Sequence, residues 1–175
     1  MNQHKMHNPI TKIISGGQTG VDRAALNWAI QNNILHGGWC PKDRRSEDGV
    51  IPDHYLLQET ESKGYTQRTK WNVRDSDATF IITLVPELTG GSLFTQEYTQ
   101  RINKPCLHIY PHNLWHEQIK VFLGMHSIQT LNVAGPRASN APDIEQFVYE
   151  VLNEAVNFFF CMKGGALSHA VGVQT

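Results

Sequence analysis

Two short segments carry glycines and hydroxyl residues in the arrangement that a backbone anion site needs. Ser15-Gly16-Gly17-Gln18-Thr19-Gly20 separates an apolar run from an amphipathic one, and Thr89-Gly90-Gly91-Ser92 repeats the pattern further on. Glycine lets a chain turn sharply and approach a ligand closely. A helix start behind the turn adds unpaired N–H groups and the positive end of the helix dipole. Neither segment is GxGxxG or GxxxxGK[ST], which argues against an ordinary dinucleotide or P-loop site. Two such turns, each between a strand and a helix, point to a phosphate-bearing ligand held by Ser15, Gly16, Gly17, Gln18, Thr19, Gly20, Gly90, Gly91 and Ser92.

Between them lies a loop at residues 36–52 with Gly37-Gly38-Trp39-Cys40 at its start and Lys42, Arg44 and Arg45 among acidic residues. A planar guanidinium suits phosphate and a flat indole suits a planar ring, so Gly38, Trp39, Arg44 and Arg45 are ligand candidates. A salt-bridged surface loop explains the same residues. Arg23, in the first turn after the first glycine segment, is either an ion-pair partner or a ligand contact, and Asn72 and Arg74 are similar cases. Asp22 reads as a helix-start residue favoured by the dipole, and Asp75 and Asp77 read as loop braces. His112 and His116 are four residues apart, but the glutamate follows the second, so the pair is not HExxH and reads as polar surface. Cys40, Cys106 and Cys161 include no CxxC pair, so no metal site is expected.

The elements that must position these residues follow from periodicity. Strand patterns fall at 11–15, 35–40, 78–85, 106–110 and 127–133. Helical patterns fall at 21–33, 66–75, 93–103, 114–123 and 143–160, and 41–53 reads as a long polar loop. Residues 78–85 are apolar on both alternate faces, as in a strand covered on each side. Alternating strands and helices predict an α/β three-layer sandwich with a mostly parallel sheet of about five strands. One domain over residues 10–160, with loose tails at 1–9 and 161–175, accommodates the 175 residues. Fifteen Lys plus Arg against sixteen Asp plus Glu, a net charge of −1, exclude a broad basic coat for nucleic acid or a membrane surface. The longest apolar runs fall short of a bilayer span, and the polar start of the chain has no apolar signal core, so a cytoplasmic protein is expected.

Taken together, ISGGQTGVDRAAL, GGWCPKDRRSEDGVIP, QRTKWNVRDSDATFIIT, LTGGSLFT and LNVAGPR resemble the family described as putative molybdenum carriers. That family is also called the circularly permuted YpsA-like branch of the SLOG superfamily. The resemblance implies a Rossmann-like fold, a homodimer, and a phosphorylated ligand. Molybdenum cofactor and an ADP-ribose-like nucleotide are the two ligand types it offers, with any molybdenum arriving within a pterin or as an oxyanion. It also draws in Asn132, Gly135 and Arg137 as binding residues.

A more distant similarity concerns chemistry. LOG-type phosphoribohydrolases, which release a base from a nucleoside monophosphate, carry R-K-x-x-M, then S-D-A before a strand, then P-G-G-x-G-T-x-E-E. Arg68 falls on the functional arginine of that pattern and Gly90-Gly91 on its glycine pair. The match then decays, with Leu93 in place of the next glycine and only Glu97 where two glutamates would follow. An arginine would hold the phosphate while a carboxylate stabilises a developing oxocarbenium ion, which makes Arg68 and Glu97 the catalytic candidates. A slip of one helical position, about 100°, would carry Glu97 off the sugar and leave binding alone. Three expectations therefore stand: a binding protein, a phosphoribohydrolase, or an interaction module using only its surface.

Overall fold

The computed structural model describes residues 10–164. In chain order the elements are β1 (Lys12–Ile14), α1 (Val21–Gln31), β2 (Leu35–Cys40), β3 (Arg45–Ser46), β4 (Gly49–Val50), β5 (Leu57–Glu59), α2 (Tyr65–Arg74), β6 (Ala78–Ile82), α3 (Gly90–Arg101), β7 (Cys106–Ile109), α4 (Trp115–Met125), β8 (Thr130–Ala134) and α5 (Ile144–Gly164). Six strands form one parallel sheet in the order β5-β2-β1-β8-β6-β7, and β3 and β4 make a separate antiparallel ribbon. The last strand, β8, enters the centre, pairing Ile13 with Leu131 on one side and Phe80 with Val133 on the other.

The period-two geometry of strands divides the sheet into two unlike faces. Ile13, Ala78, Phe80, Ile82, Leu131 and Val133 point into the main core, against Val21, Ala25 and Trp28 of α1, Ile119 and Leu123 of α4, and Val148, Val151 and Leu152 of α5. Trp28 and Trp115 are both buried there. The intervening residues face α2 and α3 and include buried polar groups. Asn132 Nδ2 donates to Thr79 Oγ1 at 3.1 Å, and Ser92, Thr95, Thr99 and Asn72 are buried on the helices above. Such groups are tolerated inside a protein only when hydrogen-bonded. One face therefore supplies stability and the other leads into a polar cleft.

The alternating pattern is realised as a three-layer sandwich whose sheet is entirely parallel, and the structure adds three strands to the five expected. β5 is short and largely exposed, without the apolar alternation that marks a half-buried strand. β3 and β4 are two residues each and lie within the segment read as loop. The α3 helix starts at Gly90, ahead of the expected 93, because low glycine propensity conceals a helix start from a sequence pattern. The final helix runs to Gly164, past the expected boundary at 160. The segments 1–9 and 165–175, read as tails, lie outside the described residues.

Candidate functional site

In a parallel sheet every strand ends at the same edge, and ligands bind where the chain order reverses. Here the order reverses around β8: β1 leads outward to β2 on one side, while β6 leads outward to β7 on the other. The segments following β1, β6 and β8 meet at that edge around a cleft of about 870 Å³, roofed by α2 and the start of α3. This volume lies within the range of about 300–1,000 Å³ typical of small-molecule sites. Among the sequence candidates, Gly16, Gln18, Arg68, Asn72, Gly90, Gly91, Ser92, Asn132, Gly135 and Arg137 line it.

Arg68 organises one end. Its Nη1 donates to Asp22 Oδ2 at 2.6 Å, and the side chains of the pair are 15% and 4% exposed. Gly16 permits this arrangement, since a Cβ there would lie 1.4 Å from Arg68 Nη1 and 2.8 Å from Asp22 Oδ2. Three guanidinium carbons surround the Tyr65 ring, those of Arg137, Arg68 and Arg45 lying 5.4, 5.7 and 6.0 Å from its centroid. At the other end, a Cβ on Gly90 or Gly91 would meet nothing within 4 Å, so the first turn of α3 opens freely into the cleft. Among the described residues no three His, Cys, Asp or Glu side chains gather into a metal-holding group. The donor set is one of N–H groups, hydroxyls and guanidinium cations, suited to the oxygen atoms of an anion.

The model of the circularly permutated YpsA SLOG family matches residues 13–156. The chain belongs to this family. It is also similar to the crystal structure of a protein from Syntrophus aciditrophicus SB named "Putative molybdenum carrier protein". The two are 45% identical, the match covers 86% of this chain and 97% of the other, and the TM-score is 0.80. No curated protein matches the chain. Among the described residues, no helix of this SLOG protein is long and apolar enough to cross a membrane.

The remaining candidates of the SLOG chain hold the cleft's walls together. Ser15 Oγ donates to the Val133 carbonyl at 2.6 Å, joining β1 to β8. Gly17 takes a φ of +73° and its carbonyl accepts from Arg23 Nε. Gly20 lies so close to the following loop that a Cβ would come within 2.5 Å of the Pro136 carbonyl oxygen. Thr19 binds Glu47 and accepts the Ala138 N–H at 3.1 Å. Arg44 spans the carbonyls of Ile51, Pro52, Tyr55 and Leu57 at 2.8–3.2 Å, closing the loop before β5. Trp39 Nε1 donates to Asp75 at 2.7 Å and its ring packs edge-on to Trp71, while Arg74 pairs with Asp75. Asp77 accepts the N–H groups of Gln129 and Thr130, acting as the brace read from sequence. Cys40 is fully buried with Leu26, Ile51 and Tyr55, and burial pushes its thiol pKa up. Arg45 stands at the rim over Tyr65, and Glu97 is exposed and does not line the cleft.

Several residues lining the cleft escaped the sequence reading. Tyr65 has no local signal beyond its place before a polar helix, and Asp22 was read for its helix position rather than for a partner 46 residues away. The loop carrying Thr83, Leu84, Val85 and Glu87 also lines the cleft.

The β3–β4 ribbon covers the first glycine turn and is tied down by polar contacts. Arg23 donates to Asp48 at 2.5 and 2.8 Å and to Ser46 at 2.9 Å. The Arg23 guanidinium and then the Ser46 hydroxyl hold the Asp48 carboxyl at a pKa of about 2, against an ordinary 3.8. A depressed carboxylate contributes stability that is complete above its unfolded pKa and is lost as the pH falls through its folded one. The ribbon anchor is therefore expected to weaken between pH 3.8 and about 2. Hydrogen exchange of residues 45–50 tests this: exchange should rise over that window, and Asp48→Asn should flatten the response. An unchanged pH response in the variant would refute it.

Proposed function

We propose that this cleft binds a small phosphorylated ligand, nucleotide-derived or pterin-bearing, and that the protein acts as a carrier for it. The observation that carries the reading is the convergence of Arg45, Arg68 and Arg137 on Tyr65, across the cleft from the open glycine turn of α3. Three guanidinium groups meet there, and two of them, Arg68 and Arg137, are also paired with Asp22 and Glu47. The name of the Syntrophus protein supports a molybdenum-bearing cargo. Here the residues would meet such cargo through oxygen atoms of phosphate, pterin or oxo groups. They offer no thiolate or imidazole cage among the described residues.

Gly91→Ala tests the reading cleanly. A Cβ at Gly91 meets no protein atom within 4 Å, and alanine is the better helix former by about 0.5–1 kcal/mol. The variant should be at least as stable as wild type, yet bind phosphorylated compounds at least tenfold more weakly, because the new methyl occupies ligand space. Binding is measured by thermal shift and calorimetry with nucleotides and pterin phosphates, after native mass spectrometry of the purified protein identifies any co-purifying adduct. A bound ligand raises the melting temperature in proportion to its occupancy. Undiminished binding by Gly91→Ala, or no shift with any phosphorylated compound, would overturn the proposal. Release of base from a nucleoside monophosphate that disappears in Glu97→Ala would replace carriage by turnover.

A further inference from the structure

Gln18 lies in the turn between β1 and α1, and its side-chain amide is held from one side only. Its Oε1 accepts the Thr19 N–H at 3.1 Å and the Glu47 N–H at 2.9 Å. Two donors facing one oxygen fix the amide orientation, because a flipped amide would set N–H against N–H. Gln18 is only 6% exposed, it lines the cleft, and its Nε2 is buried without a hydrogen-bond partner among the described residues. Arg68 repeats the situation: Nη1 is engaged by Asp22, while the buried Nε has no partner. Native proteins seldom leave buried donors unpaired, and here both unpaired groups are donors lining the same cleft. What they lack is an acceptor. Asp22 Oδ2 is already taken by Arg68 Nη1 and by the Gln18 backbone N–H at 3.2 Å.

We infer that Gln18 Nε2 and Arg68 Nε form an oxyanion subsite at the β1 end of the cleft, taking a tetrahedral group of the phosphate, sulfate or molybdate type. The inference rests on the reading of the cleft as an anion site and says which atoms read the anion. The Nε edge of a guanidinium is the edge that grips two oxygens at once. The two residues are neighbours through Asp22 Oδ2, which accepts from both the Gln18 backbone N–H and Arg68 Nη1, so the Gln18 amide N–H would add a third contact. The charges nearby agree. Asp22 offsets one arginine and Glu47 reaches Arg137 at 3.8 Å, while Arg45 has no acidic partner within 4 Å among the described residues. Glu87 is exposed on the loop after β6. The subsite is distinct from the glycine turn of α3, since β8 lies between β1 and β6. Two strand spacings put the turns about 10 Å apart at the sheet. The Glu47 N–H that fixes Gln18 belongs to the β3–β4 ribbon, so the ribbon aims the donor.

The test is calorimetry of the full-length protein with inorganic phosphate, sulfate and molybdate. Wild type should bind at least one of them. Gln18→Glu keeps an oxygen for the Thr19 and Glu47 N–H groups but replaces the donor with a carboxylate oxygen, and should weaken binding at least tenfold with the fold intact by circular dichroism. Gln18→Leu removes the donor without adding charge and should also weaken it, separating a lost contact from simple repulsion. The inference fails if wild type binds none of these ions, or if either variant binds within twofold of wild type. Nucleotide and pterin-phosphate binding run in parallel distinguishes the failures. Full retention of such binding by both variants would sink the subsite and leave the cleft reading standing. Absence of such binding in wild type would sink the cleft reading, with the inorganic ions still judging the subsite.

Discussion

Arg68→Ala should abolish capture of phosphorylated ligands and also lower stability by about 3 kcal/mol. The two effects have separate causes. Removing a guanidinium from a desolvated anion contact costs roughly 2–5 kcal/mol of binding, about thirtyfold or more. Stability falls because Asp22, 4% exposed, is left as a buried carboxylate without its counter-charge. Breaking one side of a buried pair typically costs about 3–5 kcal/mol, and the lower figure fits an arginine that keeps 15% exposure. Asp22→Ala should destabilise similarly by stranding the cation. The double variant should lose clearly less than the sum, because neither charge is then left alone, and urea denaturation of all four proteins measures the coupling. Strict additivity would mean that the pair is not an energetic unit. Asp22→Asn separates the roles: it should lose stability yet retain ligand capture, because the binding group is the guanidinium.

Gly38→Ala should be strongly disruptive for a single added methyl, costing about 4 kcal/mol from backbone strain of about 1–3 kcal/mol and overpacking of similar size. Gly38 adopts a φ of +127°, and a Cβ would lie 2.3 Å from the Ser15 carbonyl oxygen and 2.8 Å from Asn72 Oδ1. Neither neighbour can retreat cheaply. The Ser15 N–H is committed to the Gly37 carbonyl at 3.0 Å. Asn72 pairs with both backbone groups of Trp39, at 2.8 and 3.0 Å, as a strand would. Gly49→Ala is the control, with φ +119° but nothing within 4 Å of the new Cβ, so only strain remains. Chemical denaturation giving equal losses for both variants would refute the close-approach account. Gly38 was read from sequence as a ligand contact, and its chemistry here is that of a spacer between β1, β2 and α2.

How much of the site is legible in the chain depends on how local each signal is. The glycine turns are legible because their residues adjoin the strand and helix they connect. Arg68 and Arg137 are legible through blocks of sequence, and both reach the cleft. Arg23, Arg44 and Trp39 are the right residue types near the right turn, but each is taken by a partner elsewhere: Asp48, the carbonyls of the loop before β5, and Asp75. Nothing in a linear pattern distinguishes an arginine free for a ligand from one already paired, since the competing acceptor is chosen by folding. Glu97 shows the same limit, because one position along a helix turns a side chain about 100°.

The sequence by itself determined the alternation of strands and helices, hence the parallel sheet and the edge at which its loops gather, because hydrophobic periodicity and glycine placement are local properties. Its fifteen Lys plus Arg against sixteen Asp plus Glu also leave no cationic excess for a broad basic coat. Only the tertiary structure decided which charges remain available at that edge. Bringing β8 between β1 and β6 set Asp22 under Arg68, grouped three arginines around Tyr65, and left the Gln18 amide and the Arg68 Nε without acceptors. Electrostatic pairing and desolvation depend on distance in space, which no spacing along the chain encodes.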